Sequence, residues 1–532
     1  MVDKVKAETP AKATKTKRPK RNRKHIKMLS AFAVLFGIIA IMACLTWVIP
    51  SGKYNLVPDP SNPSETIREA GTYREIPKVE TTTNEETGET TTVDHRQGLW
   101  DIFMAPIKGM SDRLDVIVFV LILGGFLGIV MKTGALDAAL GGLLKKMNGK
   151  EKWLIPILMT FFAIGGTTYG MQEETVAFYA LIVPIMMAAG YNAMTAVMVI
   201  VLGAGSGVLA STINPFSTGI AANAADVPLG NILGVQSVLF VLTLLAAIIF
   251  TMRYASKVKA GKYKNDVRYK PVTTELDMSN VPKFTGRRKA VMAIFGLTFL
   301  IMVISLIPWE DFNIKLFSNI HEWLTNIPVV SAIFGVGHSA ALGLWYFNEI
   351  STLFLISTLV IAAIYYKQFK EEEVFVPDTF IKGTADILPV ALIIAVAAGV
   401  GVVMQNGAIQ DTIISWGESG LKGAGSLVGI LAYLFYLPMS FVIPSSSGLA
   451  AATMPVLAPV ANLVGSSKEI IVVAFAAASG LLNMMAPTIA SLMGGLALAG
   501  VSYRAWLKRS MPIMVVFAVI SLAVIFVYGM VV

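Results

Sequence analysis

Residues 165–184 read GGTTYGMQEETVAFYALIVP and set two adjacent carboxylates, Glu173 and Glu174, inside a long apolar region. A charge at the centre of a bilayer costs roughly 3 kcal/mol or more, so a plain spanning helix does not account for them. Length is the second constraint. The apolar segment from Trp153 to Gly190 exceeds one span of about 20 residues, yet no hydrophilic loop divides it into two. A re-entrant hairpin satisfies both facts: two half-helices meet inside the membrane, and surrounding protein shields their polar tip.

The rest of the chain suits a lipid environment. Only 14% of its 532 residues are charged, against about a quarter in soluble proteins. The net charge of +9 gathers mostly in Lys4–Lys27 and Arg253–Lys289. Such clusters beside predicted spans hold loops on the cytoplasmic side, so the charge does not point to nucleic acid. Cys44 is the single cysteine, which excludes an intrachain disulfide.

The order of segments predicts an all-α polytopic membrane protein. Residues 1–27 read as a disordered basic cytoplasmic tail. The first half, 28–252, opens with a retained span at Met28–Ile49. A polar loop over 50–97, too rich in Thr and Glu to pack a core, is expected outside. An interfacial helix (Gly98–Met110) and a second span (Asp115–Lys132) come next, then the hairpin over 153–190. Residues 192–225 must cross the membrane, yet their centre reads GAGSGVLASTINPFSTG. Four glycines and Asn214-Pro215 mark a broken helix, since proline removes a donor and disfavours helix in the residue before it. A basic cytoplasmic linker, 253–289, separates the halves. The second half, 290–532, carries an irregular outer segment (Trp309–Trp345), a second hairpin over 427–463 and a second broken helix over 469–503.

The halves repeat each other. VMKTGALD (Val130–Asp137) answers VMQNGAIQ (Val403–Gln410), and SGVLASTINP (Ser206–Pro215) answers SGLLNMMAP (Ser479–Pro487). Counting crossings gives the copies opposite orientations. That is the inverted-topology repeat of secondary transporters, whose solute sits near the midplane where interrupted helices meet.

From Met28 onward the chain resembles the YfcC/ArcD-like branch of the DcuC-related carriers, within the wider ion-transporter superfamily. The residues that carry the resemblance are LTWVIPSGKY (Leu45–Tyr54), GGTTYGMQEET (Gly165–Thr175), STINPFSTG (Ser211–Gly219) and PSSSGLAAATMPVLAP (Pro444–Pro459). The resemblance implies a bacterial inner-membrane carrier with two opposed hairpins, a scaffold and a transport domain, elevator-like movement and a homodimer. Members of this branch are assigned to basic amino acid exchange, arginine for ornithine in particular, while relatives move C4-dicarboxylates. Sodium-type members of the superfamily place Ser-Asn-Thr at both breaks. The text here is Ser-Thr-Ile-Asn-Pro and Asn-Met-Met-Ala-Pro-Thr, a departure that speaks against sodium coupling.

Three roles are open to Glu173 and Glu174: contact with a cationic substrate, capping of the second half-helix, or exposure to water at the cytoplasmic mouth. The first is favoured, because a guanidinium binds a carboxylate bidentately and a dicarboxylate would be repelled. A proton-coupling role is compatible with each. Gln172 lies beside them. At the other tip Ser445, Ser446 and Ser447 begin a half-helix whose exposed N–H groups suit a carboxylate. Thr167, Thr168, Ser211, Thr212, Asn214, Asn483 and Thr488 supply neutral oxygens at the breaks, for substrate or for freed backbone groups. His25, His95, His321 and His338 form no metal-ligand spacing, no cofactor is called for, and no phosphate-loop motif is present. Gly203, Gly205 and Gly207 read as close helix packing. The expected function is exchange of basic amino acids, arginine for ornithine, across the bacterial plasma membrane with the N-terminus cytoplasmic. The alternative is an H⁺- or Na⁺-coupled symporter of C4-dicarboxylates. An intramembrane enzyme lacks a base at depth, and a passive channel would differ by showing conductance.

Overall fold

The computed structural model describes residues 31–58, 66–83, 90–147, 150–263, 282–307, 309–312 and 314–531. The tail expected over 1–27 and residues 264–281 of the linker expected over 253–289 lie outside these residues.

The chain begins with α1 (Ala31–Val48), then six short strands: β1 (Ser51–Lys53), β2 (Leu56–Pro58), β3 (Thr66–Arg68), β4 (Arg74–Ile76), β5 (Val79–Thr83) and β6 (Thr90–Asp94). Helices α2 (Leu99–Asp112), α3 (Leu114–Lys132) and α4 (Ala135–Met147) follow. The segment 153–190 holds α5 (Leu154–Tyr169) and α6 (Thr175–Ala188), joined by a five-residue turn. Then come α7 (Ala193–Leu209), a break, a π turn at Pro215–Gly219, α8 (Ile220–Ala225) and α9 (Leu229–Lys259). The second half has α10 (Gly286–Leu306), two short helices α11 (Leu316–Thr325) and α12 (Pro328–Phe334), α13 (Phe347–Glu371), α14 (Val376–Asn406) and α15 (Gln410–Leu421). It closes with α16 (Val428–Val442), α17 (Ser446–Leu463), α18 (Lys468–Asn483), α19 (Ala490–Leu498) and α20 (Tyr503–Gly529). Among the described residues 7 helices are long and apolar enough to cross a membrane, so the embedded part is all-α. At 16 and 14 residues, α5 and α6 fall short of the ~20 that a span requires.

Two groups of helices form. In the first, α1, α2 and α3 pack on α14, and α13 packs on α3. Backbones touch at Gly383 of α14, where an added Cβ would stand 2.4 Å from the Gly124 carbonyl oxygen of α3. In the second, α7 and α18 pack on each other at the centre, with α5 on α7 and α16 on α18. The glycines of α7 permit this. An added Cβ would stand 3.1 Å from the Met159 carbonyl oxygen at Gly203, 2.2 Å from Met484 at Gly205 and 2.1 Å from the Ala163 carbonyl oxygen at Gly207. Small residues let helices approach where no hydrophobic effect drives them together.

The pairs α5–α6 and α16–α17 start near opposite ends of α9. The start of α5 lies at the C-terminal end of α9, where Lys259 pairs with Glu151 at 3.5 Å and sits over the Tyr191 ring. The start of α16 lies at the other end. Gly429 abuts Ile470 and Ile525, and Tyr528 donates to the Asn231 carbonyl near the start of α9.

The segment 50–97 corrects the reading of an unpacked loop. Its strands form three antiparallel pairs, β1 with β4, β2 with β3 and β5 with β6. The resulting cap is bolted to α15 and the turn before it. The Gly52 N–H donates to the Ala408 carbonyl (2.9 Å), the Thr412 hydroxyl donates to the Pro50 carbonyl (2.8 Å), and the Tyr54 hydroxyl donates to Glu418 (2.8 Å). Lys78 caps the end of α1 through the Thr46 and Ile49 carbonyls. These contacts are polar, which is why hydropathy gives no sign of them.

Candidate functional site

Each helix pair ends in a turn at the middle of the second group, and local chemistry explains both turns. Gly170 adopts φ +78°, a left-handed cap that stops α5 at little steric cost only as glycine. A Cβ there would stand 2.6 Å from Nδ2 of Asn214. Ser445 N-caps α17, its hydroxyl accepting from the Gly448 N–H at 3.2 Å. The N–H groups of Ser446 and Ser447 have no acceptor among the described residues and open α17 toward a shared space.

That space is a cavity of about 540 Å³, within the range of small-molecule sites. Both turns line it, through Gly170–Glu174 (except Met171) and Ile443–Gly448, along with the two breaks through Asn214 and Thr488. The α2–α3 junction, α13, α14 and the cap complete the lining. Eight residues expected at the site reach the cavity: Gln172, Glu173, Glu174, Asn214, Ser445, Ser446, Ser447 and Thr488. The carboxylate of Glu174 is 6% exposed and accepts the Gln172 N–H at 3.2 Å, so it also braces the turn. Glu173 is more open and makes no ion pair among the described residues.

Five expected residues do not line the cavity, and each has a structural reason. The Thr167 hydroxyl donates to the Ala210 carbonyl (2.7 Å), while the N–H groups of Thr212 and Ile213 donate to the Thr167 carbonyl (3.1 and 3.2 Å). Thr167 and Thr212 thus satisfy backbone groups freed by the break. Thr168 bonds back to the Ile164 carbonyl within its own helix. Ser211 is buried at the break. Asn483 lies behind the cavity and joins the turns: its Nδ2 donates to Oε1 of Gln172 (3.2 Å) and Oγ of Ser446 (3.3 Å). Asn483→Ala is expected to raise the KM for the transported solute roughly threefold to tenfold, the scale of one or two modest hydrogen bonds. Initial uptake rates measure this; an unchanged KM would show that the bridge does not position the turns.

Sequence reading missed two guanidiniums. Arg113 sits at the α2–α3 junction and lines the cavity beside Asp112. Its side chain makes no ion pair or hydrogen bond among the described residues, and Glu173 lies within its electrostatic reach. The charged Asp112-Arg113 step just before an apolar span was the available signal. Arg68 of β3 lines the same cavity and pairs with Asp411. Nothing in its polar surroundings announces that placement.

A family described as DcuC, C4-dicarboxylate anaerobic carrier, matches residues 28–529. A Haemophilus influenzae protein of uncharacterized role is 29% identical over 92% of this chain and 95% of its own. An Escherichia coli protein provisionally named a basic amino acid antiporter, YfcC, is 29% identical over 90% of this chain and 92% of its own. Among solved structures, the Alcanivorax borkumensis YdaH transporter aligns with a TM-score of 0.42 at 14% identity, covering 94% of this chain and 98% of that one. Neisseria gonorrhoeae MtrF aligns with a TM-score of 0.41 at 17% identity, covering 94% and 96%.

Proposed function

The chain belongs to the DcuC family of C4-dicarboxylate anaerobic carriers, a multi-pass bacterial membrane protein and secondary transporter rather than an enzyme, and from that premise we propose that it carries a small dicarboxylate together with a proton. The observation that carries this reading is the pairing of two anion-binding points in one cavity. One is the open N-terminus of α17 at Ser445–Ser447; the other is the guanidinium of Arg113, which makes no ion pair or hydrogen bond among the described residues. Helix N-terminal N–H groups and a guanidinium each suit a carboxylate. The objection that two acids would repel such a ligand weakens once Arg113 stands near Glu173. Glu174, buried at the turn, is then the group positioned to hold the co-transported proton.

In this reading α5–α6 and α16–α17 are re-entrant hairpins of an inverted repeat, and the α7/α18 group moves against the α14 wall. The basic ends of α9, α10 and α20 face the cytoplasm and the β cap faces outward, following the distribution of Lys and Arg.

A second reading has a specific observation in its favour. Glu173 and Glu174 both line the cavity, and a carboxylate pair suits a basic amino acid such as arginine; basic amino acids are the class named for the E. coli relative. Counterflow in proteoliposomes separates the two. Labelled succinate should accumulate against internal succinate, labelled arginine should not, and Arg113→Gln should raise the succinate KM by about tenfold or more. Arginine counterflow without succinate counterflow would overturn the dicarboxylate reading.

A further inference from the structure

The β cap contributes a charged side chain to the cavity, which a passive loop between two spans has no reason to do. Thr66 and Arg68, both on β3, line it, and β3 packs against α17. Nε of Arg68 lies 2.7 Å from Oδ1 of Asp411, with the two side chains 23% and 14% exposed. The pair is therefore partly withdrawn from water, unlike the exposed ion pairs that contribute little. The two terminal nitrogens of Arg68 make no hydrogen bond among the described residues. Asp411 has a second support, since its Oδ2 accepts the Tyr54 N–H at 3.1 Å.

We propose that Arg68 forms an outer subsite that takes a carboxylate of the entering solute at the cavity mouth, in exchange for Asp411. The class of ligand rests on the dicarboxylate reading above. A guanidinium offers five donors in a planar fork, and only one nitrogen is engaged here. An arriving carboxylate meets the free edge first and can then displace Asp411. That displacement strands no acid, because Asp411 keeps the Tyr54 N–H. The cap itself stays seated through Gly52, Ser51, Tyr54, Tyr73 and Thr412, none of which needs Arg68. Because the cap lies at one end of the molecule only, the subsite serves one face of the membrane.

The sidedness supplies the test. Full-length carrier is reconstituted in oriented proteoliposomes, and the KM for labelled succinate is measured separately from the cap side and from the opposite side. Wild-type uptake reports on the dicarboxylate reading alone: if succinate is not carried, that reading fails before any variant is examined. Given wild-type uptake, Arg68→Gln should raise the cap-side KM about tenfold or more and leave the opposite-side KM within about twofold. Arg68→Lys should recover part of the loss, and Asp411→Asn, which keeps an acceptor for Tyr54, should not raise the cap-side KM. An unchanged cap-side KM in Arg68→Gln overturns the subsite. So does an equal rise on both sides, which would mark Arg68 as a structural strut of the cap.

Discussion

Glu174→Gln is expected to abolish proton-driven accumulation of solute while one-for-one exchange continues within a few-fold of wild type. The side chain of Glu174 does two things that this substitution separates. It braces the turn by accepting the Gln172 N–H, and the amide oxygen of the substituted side chain would accept the same bond. It is also proposed to carry a proton, which an amide does not exchange. Carrying an uncompensated carboxylate through the membrane interior costs roughly 3 kcal/mol. A carrier that must neutralise Glu174 before moving is therefore slowed about a hundredfold when it stays charged. The variant mimics the neutral form permanently, so it moves but couples to nothing. Uptake driven by an imposed pH gradient, set against counterflow without one, measures both quantities. Full gradient-driven uptake in the variant would reduce Glu174 to a brace, and loss of both activities together would make it a substrate ligand instead.

Gly207→Ala should destabilise the carrier, although glycine to alanine inside a helix ordinarily stabilises by about 1 kcal/mol. The reversal comes from packing. A Cβ at 207 would stand 2.1 Å from the Ala163 carbonyl oxygen and 2.7 Å from the Thr167 nitrogen, both backbone atoms of α5. Backbone does not swing aside as a long side chain does, so α5 and α7 must separate, at an overpacking cost of typically about 1–3 kcal/mol or more. The displacement falls on Thr167, whose carbonyl and hydroxyl hold the break in the neighbouring chain segment. Transport should therefore fall with stability. Gly230→Ala is the control, since nothing lies within 4 Å of its added Cβ. Thermal unfolding in detergent reads the difference; equal midpoints for the two variants would mean that α5 and α7 are not in this close contact.

Much of the architecture could be read from local text, because lipid imposes strong local rules. A span needs length and hydropathy, and a buried acid or an Asn-Pro step in an apolar run has few solutions. The two interrupted helices, the polar turns near Glu173 and Ser446, and the packing role of Gly203, Gly205 and Gly207 follow from such rules. The polar residues at the breaks show where they stop. Thr167 and Asn214 look equally suited to a ligand in the sequence, yet Thr167 only bonds backbone and its neighbours, while Asn214 accepts the Phe216 N–H and also lines the cavity. Rotation about a broken helix has no fixed period, so spacing does not assign them.

The sequence by itself therefore determined a membrane carrier with paired polar turns, since hydropathy and chain length act residue by residue. Only the tertiary structure decided what the turns enclose. It brought Arg113 from the wall and Arg68 from a segment without hydropathic signal into one chamber with the two acids. Electrostatic character belongs to the assembled cavity and depends on side chains as far apart in the chain as Arg68 and Glu174, which no local pattern records.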